Sequence, residues 1–143
     1  MVDRKLTFPL AELIDRLTVD QIKEVRLRDL KPALHEEMTA LYHDIDQIVG
    51  ERGIKLTARL MGVVVALAQL NVQIWDLKDR MTAGDGDYAA QLKLAHQLNG
   101  IRNQLKNWLL TECGDRSPGA RRTNYNTDGL EGWDLFALGP TGS

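Results

Sequence analysis

The sequence predicts an all-α fold, an antiparallel bundle of about four helices followed by an irregular C-terminal tail. Three observations carry that expectation. Apolar residues recur at alternating steps of three and four in separate stretches, proline and glycine punctuate the gaps, and after Gly114 the periodicity stops. On this division residues 1–114 form the bundle and residues 115–143 the tail.

The first helix is opened by Pro9, whose missing N–H costs nothing in a first turn. Leu10, Leu13, Ile14 and Leu17 follow with helical spacing, and Ile22, Val25 and Arg26 continue it to about Leu27. Thr18-Val19-Asp20-Gln21 has the form of a capping box, which predicts a kink or a fresh helix start near Thr18. Pro32 restarts the chain. Leu34, Met38, Leu41, Ile45 and Ile48 then line one face of a second helix that Gly50 and Gly53 end.

The third helix has the strongest pattern. Leu60, Val63, Leu67, Leu70, Ile74, Leu77 and Met81 make a seam of coiled-coil spacing. Val64, Val65, Ala66 and Ala68 make its first half apolar nearly all round, so it must be buried on more than one side. It is expected to be the central helix of the bundle, the helix through which two copies meet, or both. A turn through Gly84 and Gly86 leads to Asp87, a suitable N-cap for the fourth helix. Its seam is Leu94, Leu98, Ile101, Leu105 and Trp108, and Gly114 suits its C-cap. Connections this short favour antiparallel neighbours.

A chain of 143 residues fits one domain, and 43% hydrophobic and 27% charged residues are ordinary for a globular protein. A net charge of −2 argues against broad electrostatic binding to nucleic acid or membrane. The lone Cys113 excludes an internal disulfide framework and points to the cytoplasm. No apolar stretch of signal-peptide length opens the sequence, and Leu60–Ala68 is about half a membrane span.

Candidate chemistry is sparse. Glu12 and Asp15 on the first helix, and Asp76 and Asp79 on the third, are acidic pairs three apart; such pairs on facing helices hold magnesium in all-α nucleotide pyrophosphatases. Asp76-Leu77-Lys78-Asp79-Arg80 is equally the pattern of a solvated, salt-bridged helix end. On the fourth helix His96, Asn99, Arg102, Asn103 and Lys106 form a polar stripe beside the apolar seam. It suits a carboxylate or phosphate, or an interhelical hydrogen bond to Asp76 or Asp79.

None of the three histidines has glutamate-x-x-histidine spacing, and there is no cysteine pair, so no transition-metal site is expected. Cys113 at a helix C-terminus is a poor nucleophile. The tail places Arg116, Arg121 and Arg122 among small residues with Tyr125 nearby. It is either an arm that closes on an anionic ligand, with Tyr125 or Trp133 stacking on a base, or a basic linker to an apolar anchor at Trp133-Asp134-Leu135-Phe136.

Three stretches, Leu13-Ile14-Asp15-Arg16-Leu17-Thr18, Asn71-Val72-Gln73-Ile74-Trp75-Asp76 and Asn99-Gly100-Ile101-Arg102, together resemble helical-bundle proteins of bacteria and phages to which no activity is assigned. The resemblance covers about the first 110 residues and leaves the tail outside. It implies that Asp15, Lys23, Asn71, Trp75, Asp76, Asp79, Asn99, Arg102 and Lys106 are the polar positions to watch.

The leading expectation is a non-enzymatic helical protein, homo-oligomeric through its third helix and tail, that binds an anionic small molecule and acts as a sponge for a nucleotide signal. Lys23, Trp75, Asn99, Arg102, Lys106, Arg121, Arg122 and Tyr125 are its candidate ligand contacts, and no cofactor is expected. One alternative is a magnesium-dependent nucleotide pyrophosphohydrolase using Glu12, Asp15, Asp76 and Asp79. Another is a structural or adaptor protein acting through helix and tail contacts.

Overall fold

The computed structural model describes residues 8–27, 29 and 31–114. Four helices fill that span: α1 (Leu10–Arg26), α2 (Lys31–Arg52), α3 (Ala58–Thr82) and α4 (Tyr88–Glu112). The all-α bundle expected from periodicity is the fold, and its termini follow local chemistry. Asp87 accepts from the backbone N–H groups of Ala89 at 3.0 Å and Ala90 at 3.3 Å, satisfying two donors that the helix itself leaves over. Thr57 does the same for α3, accepting from the Leu60 N–H at 3.0 Å. Gly53, with φ of 59°, follows the last turn of α2 in a conformation that a side chain would strain.

α1 runs through Thr18 as a single helix, with no fresh start there. The Thr18 hydroxyl is not a cap. It is buried, donates to the Asp15 carbonyl at 2.7 Å and accepts from Asn71 of α3 at 2.8 Å. A tertiary partner has claimed the group that the capping box reading assigned to a new helix start.

The central helix is α1, not α3. It packs against α2, α3 and α4, whereas α2 rests chiefly on α1. The reason lies in two apolar sides. Leu10 and Leu13 meet Leu41 and Ile48 of α2, while Ala11 joins the larger cluster built from α3 and α4, and Ile14 packs against both. The wholly buried Leu13, Leu41, Leu67 and Leu105 each contribute about 1.5–3 kcal/mol relative to exposure.

The inner seam of α3 is as expected. Val63, Leu67, Leu70, Ile74 and Leu77 are buried against α4 residues Leu98, Ile101, Leu105 and Trp108. By length and composition α3 is also the one described helix apolar enough to cross a membrane, and 33% of its most apolar stretch is buried. Its other side stays exposed, with Met61 and Val65 each at 51%.

Candidate functional site

Buried polar residues collect where α1, α3 and α4 meet. Glu12, Asp15 and Thr18 lie at successive steps of three on α1 and so share one face. Asn71 reaches them from the middle of α3, and Arg102 and Lys106, one turn apart, from α4. The Asp15 carboxylate is the hub. Its Oδ1 accepts from Asn71 Nδ2 at 2.9 Å and Arg102 Nε at 3.0 Å, and its Oδ2 accepts from the second arm of the same guanidinium.

Lys106 Nζ lies 2.8 Å from Glu12 Oε1 and 3.6 Å from Asp15 Oδ2, with the lysine only 3% exposed. Arg102 also donates to Asn99 Oδ1 at 3.2 Å. Burial pushes the Asp15 carboxyl up, but hydrogen bonds from Arg102 and Asn71 and the charges of Arg102 and Lys106 outweigh it, holding it below the usual carboxylate range. Two acids and two bases meet here with the asparagine filling a remaining lone pair, so the cluster is self-satisfying.

This arrangement reassigns the polar stripe of α4. Arg102 and Lys106 do serve as interhelical partners, but of Asp15 and Glu12 on α1 rather than of Asp76 or Asp79. As ligand contacts Asn99, Arg102 and Lys106 are therefore already engaged within the fold. Asp76 is likewise taken, by the Arg26 guanidinium, at an exposed site. Glu12 and Asp15 meet around Lys106, and among the described residues no three His, Cys, Asp or Glu side chains are grouped so as to hold a metal ion.

Lys23 sits half-buried on α1, its charge acting on Asp20. Trp75 is half-buried on α3. Arg121, Arg122 and Tyr125 lie outside the described residues, as does the whole tail.

A second acidic locus joins α1 to α2. Asp20 is 1% exposed, and its Oδ2 has no hydrogen-bond partner. Its neighbour across the interface is Glu37, whose carboxylate also lies 3.6 Å from the Arg16 guanidinium. Burial, the hydrogen bond between the two carboxyls and the charge of Glu37 push Asp20 up to about 6, against the pull of Lys23 and Arg16.

The remaining feature is a pocket of about 540 Å³ at the end of the bundle, where the α2–α3 loop faces the end of α4. Arg52, Lys55 and Thr57 line one side, Leu60 and Trp108 supply apolar surface, and Glu112 is its one carboxylate. The Arg59 guanidinium stands 5.6 Å from the Trp108 ring centroid, a cation–π distance. Arg52 donates to the carbonyl of Cys113, another lining residue, at 3.4 Å.

Spacing did not disclose this pocket, because its cations come from one helix end and a loop, which share no periodicity with its α4 wall. The one sequence signal was the clustering of Arg52, Lys55 and Arg59 around Gly53. Comparison with family models, with curated proteins and with solved structures gives no match to this chain.

Proposed function

We propose that the protein binds an anionic small molecule, without turning it over, in the pocket between the α2–α3 loop and the end of α4. The observation that carries this reading is a cavity of about 540 Å³ holding two cations, Arg52 and Lys55, beside an indole and a leucine. That volume falls within the roughly 300–1,000 Å³ of small-molecule sites. Apolar walls with a few polar groups orient a ligand, and a nucleotide matches both: its phosphate against Arg52 and Lys55, its base toward Leu60 and Trp108. Glu112 opposes the charge and favours a ligand that keeps its anionic group at the loop side.

The tail supports the same reading. Gly114 lines the pocket, so Arg121 and Arg122 follow seven and eight residues later in the chain.

The test is retention of linear and cyclic nucleotides by the full chain, with and without magnesium, followed by recovery from denatured protein. Intact nucleotide bound to the wild type and held at least tenfold more weakly by Lys55→Ala is the expected result, since a lost charge contact of about 1.4 kcal/mol is a factor of ten. If every nucleotide stays free, the pocket is not a nucleotide site. Metal-dependent conversion to product would mean an enzyme instead.

A further inference from the structure

α4 is buried on a side that the other three helices do not occupy. Among the described helices it packs chiefly on α3, through Leu98, Ile101 and Leu105, and on α1, through Arg102 and Lys106. Yet every residue from 105 to 110 is buried, and at about 100° per residue that run goes more than once round the helix. A third side is therefore covered.

Gly100, Asn103 and Asn107 mark that side. Their steps of three and four put them in one row, and Asn103 points about 180° away from the midpoint of Ile101 and Leu105. Asn103 is 7% and Asn107 6% exposed, whereas Asn99 and Gln104, which border the row, are only half-buried. Burial falls away at the edges of the α1 and α3 contacts and returns behind them. Toward the start of the helix the same row is open, with Ala89, Lys93 and His96 exposed.

This burial is that of a lone chain, so the cover belongs to the chain itself. Both asparagines are engaged, as buried amides are as a rule. Residues 1–7, 28, 30 and 115–143 stand outside the described helices and their loops. The pairs Glu12–Lys106 and Asp15–Arg102 set α1 antiparallel to α4, which puts residues 28 and 30 level with the open start of the row. Residues 1–7 bring three charges, Asp3, Arg4 and Lys5. The tail leaves α4 directly, turned off the helix axis by Gly114 with φ of 71°, and it carries Tyr125, Leu130, Trp133, Leu135 and Phe136. So many large apolar groups suit a segment that packs.

We infer that residues 125–136 of the tail return along the back of α4 and pack there in cis, over Gly100, Asn103 and Asn107. The row from Gly100 to Asn107 is about 10 Å long, and twelve extended residues reach about 40 Å. Residues 115–124, with Arg121 and Arg122, are left for the turn at the pocket end of the helix. Gly100 has no side chain and leaves room for an aromatic ring. The two asparagine amides donate and accept, which matches the backbone groups of an extended segment. A tail so engaged is part of its own fold, not an arm for a second copy.

The inference does not rest on a ligand and stands if the pocket proves empty. Its test is a nitroxide on His96→Cys in the full chain, read by the intensity of tail amide signals in NMR spectra. His96 is exposed one turn before Gly100, so the label stands at the end of the row without entering it. Cys113 is buried and can stay in place. Amides of residues 125–136 should lose most of their intensity and regain it when the nitroxide is reduced. The same label on Gln69→Cys, exposed on α3, should leave them unchanged. Asn103→Asp combined with Asn107→Asp should speed hydrogen exchange of residues 125–136 roughly tenfold while helical circular dichroism stays the same.

Tail signals untouched by the label on His96→Cys would overturn the inference, as would tail exchange indifferent to the two aspartates. Loss of intensity in residues 1–7 instead would give the cover to the N-terminus. If the effect appears only when labelled protein is mixed with isotope-enriched wild type, the tail covers a second copy and packing in cis is wrong.

Discussion

Replacing Asp15 with alanine is expected to destabilise the fold by about 3–5 kcal/mol, the cost of breaking a buried ion pair from one side. The carboxylate is 4% exposed and joins three helices at once, through Asn71 of α3 and Arg102 and Lys106 of α4. Without it Lys106 keeps only Glu12, and the Arg102 fork keeps only Asn99. Urea denaturation followed by circular dichroism would measure the loss. Arg102→Ala combined with Asp15→Ala should cost well under the sum of the two, a coupling of about 0.5–3 kcal/mol, because the second substitution removes a charge that the first has already stranded. Strict additivity would mean that the pair is not an interaction in solution. Because Asp15 is held below its usual range, the stability it provides is full above about 3.8 and is lost as the pH falls below it.

Asp20→Asn is expected to do the reverse and stabilise the protein at pH 7, on the order of 2 kcal/mol. The sign follows from the direction of the shift. Asp20 is raised from 3.8 to about 6, so the folded state binds its proton more tightly than the unfolded chain does. Below about 3.8 both states are protonated and the site costs nothing. As the pH rises toward 6 the unfolded chain ionises first, and above 6 the folded protein must hold a buried carboxylate against Glu37. The asparagine amide instead donates to Glu37 at every pH. The gain should therefore shrink toward zero at pH 4, and a gain independent of pH would show that the two carboxyls do not share a proton. Wild-type stability should accordingly peak on the acid side of neutrality, between the opposed effects of Asp20 and Asp15.

Helix number and faces were legible in the sequence because burial imposes a period of 3.6 residues, which Leu60 through Met81 display without a miss. Asp87 and Gly53 were legible for another reason: caps and positive-φ turns need particular side chains locally. Which helix is central was not. An apolar circumference made α3 a candidate for the centre of the bundle or for a seam between copies, yet half of that circumference faces outward, while α1 holds the centre with two apolar sides and buries Asp15, Thr18 and Asp20 between them. Polar residues in a core are invisible to an apolar count until their partners are known. Arg102 and Lys106 were found as a polar stripe and offered to an anionic ligand or to Asp76 or Asp79, since spacing along one helix says nothing about which helix lies opposite. The pocket was not legible from spacing, because Trp108 reaches the neighbouring Arg52 and Lys55 only through tertiary packing.

The Asp15–Arg102 contact spans 87 residues of chain, which matters for how the protein is made. Translation proceeds from the N-terminus, at about 5–20 residues per second. Asp15 therefore leaves the ribosome roughly 4 to 17 s before the guanidinium that neutralises it. During that interval α1 and α2 can pair through Leu13 and Leu41, but the side of α1 that carries Glu12, Asp15 and Thr18 can meet only Asn71 of α3, and Arg102 and Lys106 are still to come. An unneutralised acidic face keeps the nascent helices hydrated and discourages premature burial of the apolar residues beside it. The buried cluster is therefore complete only once α4 has been synthesised.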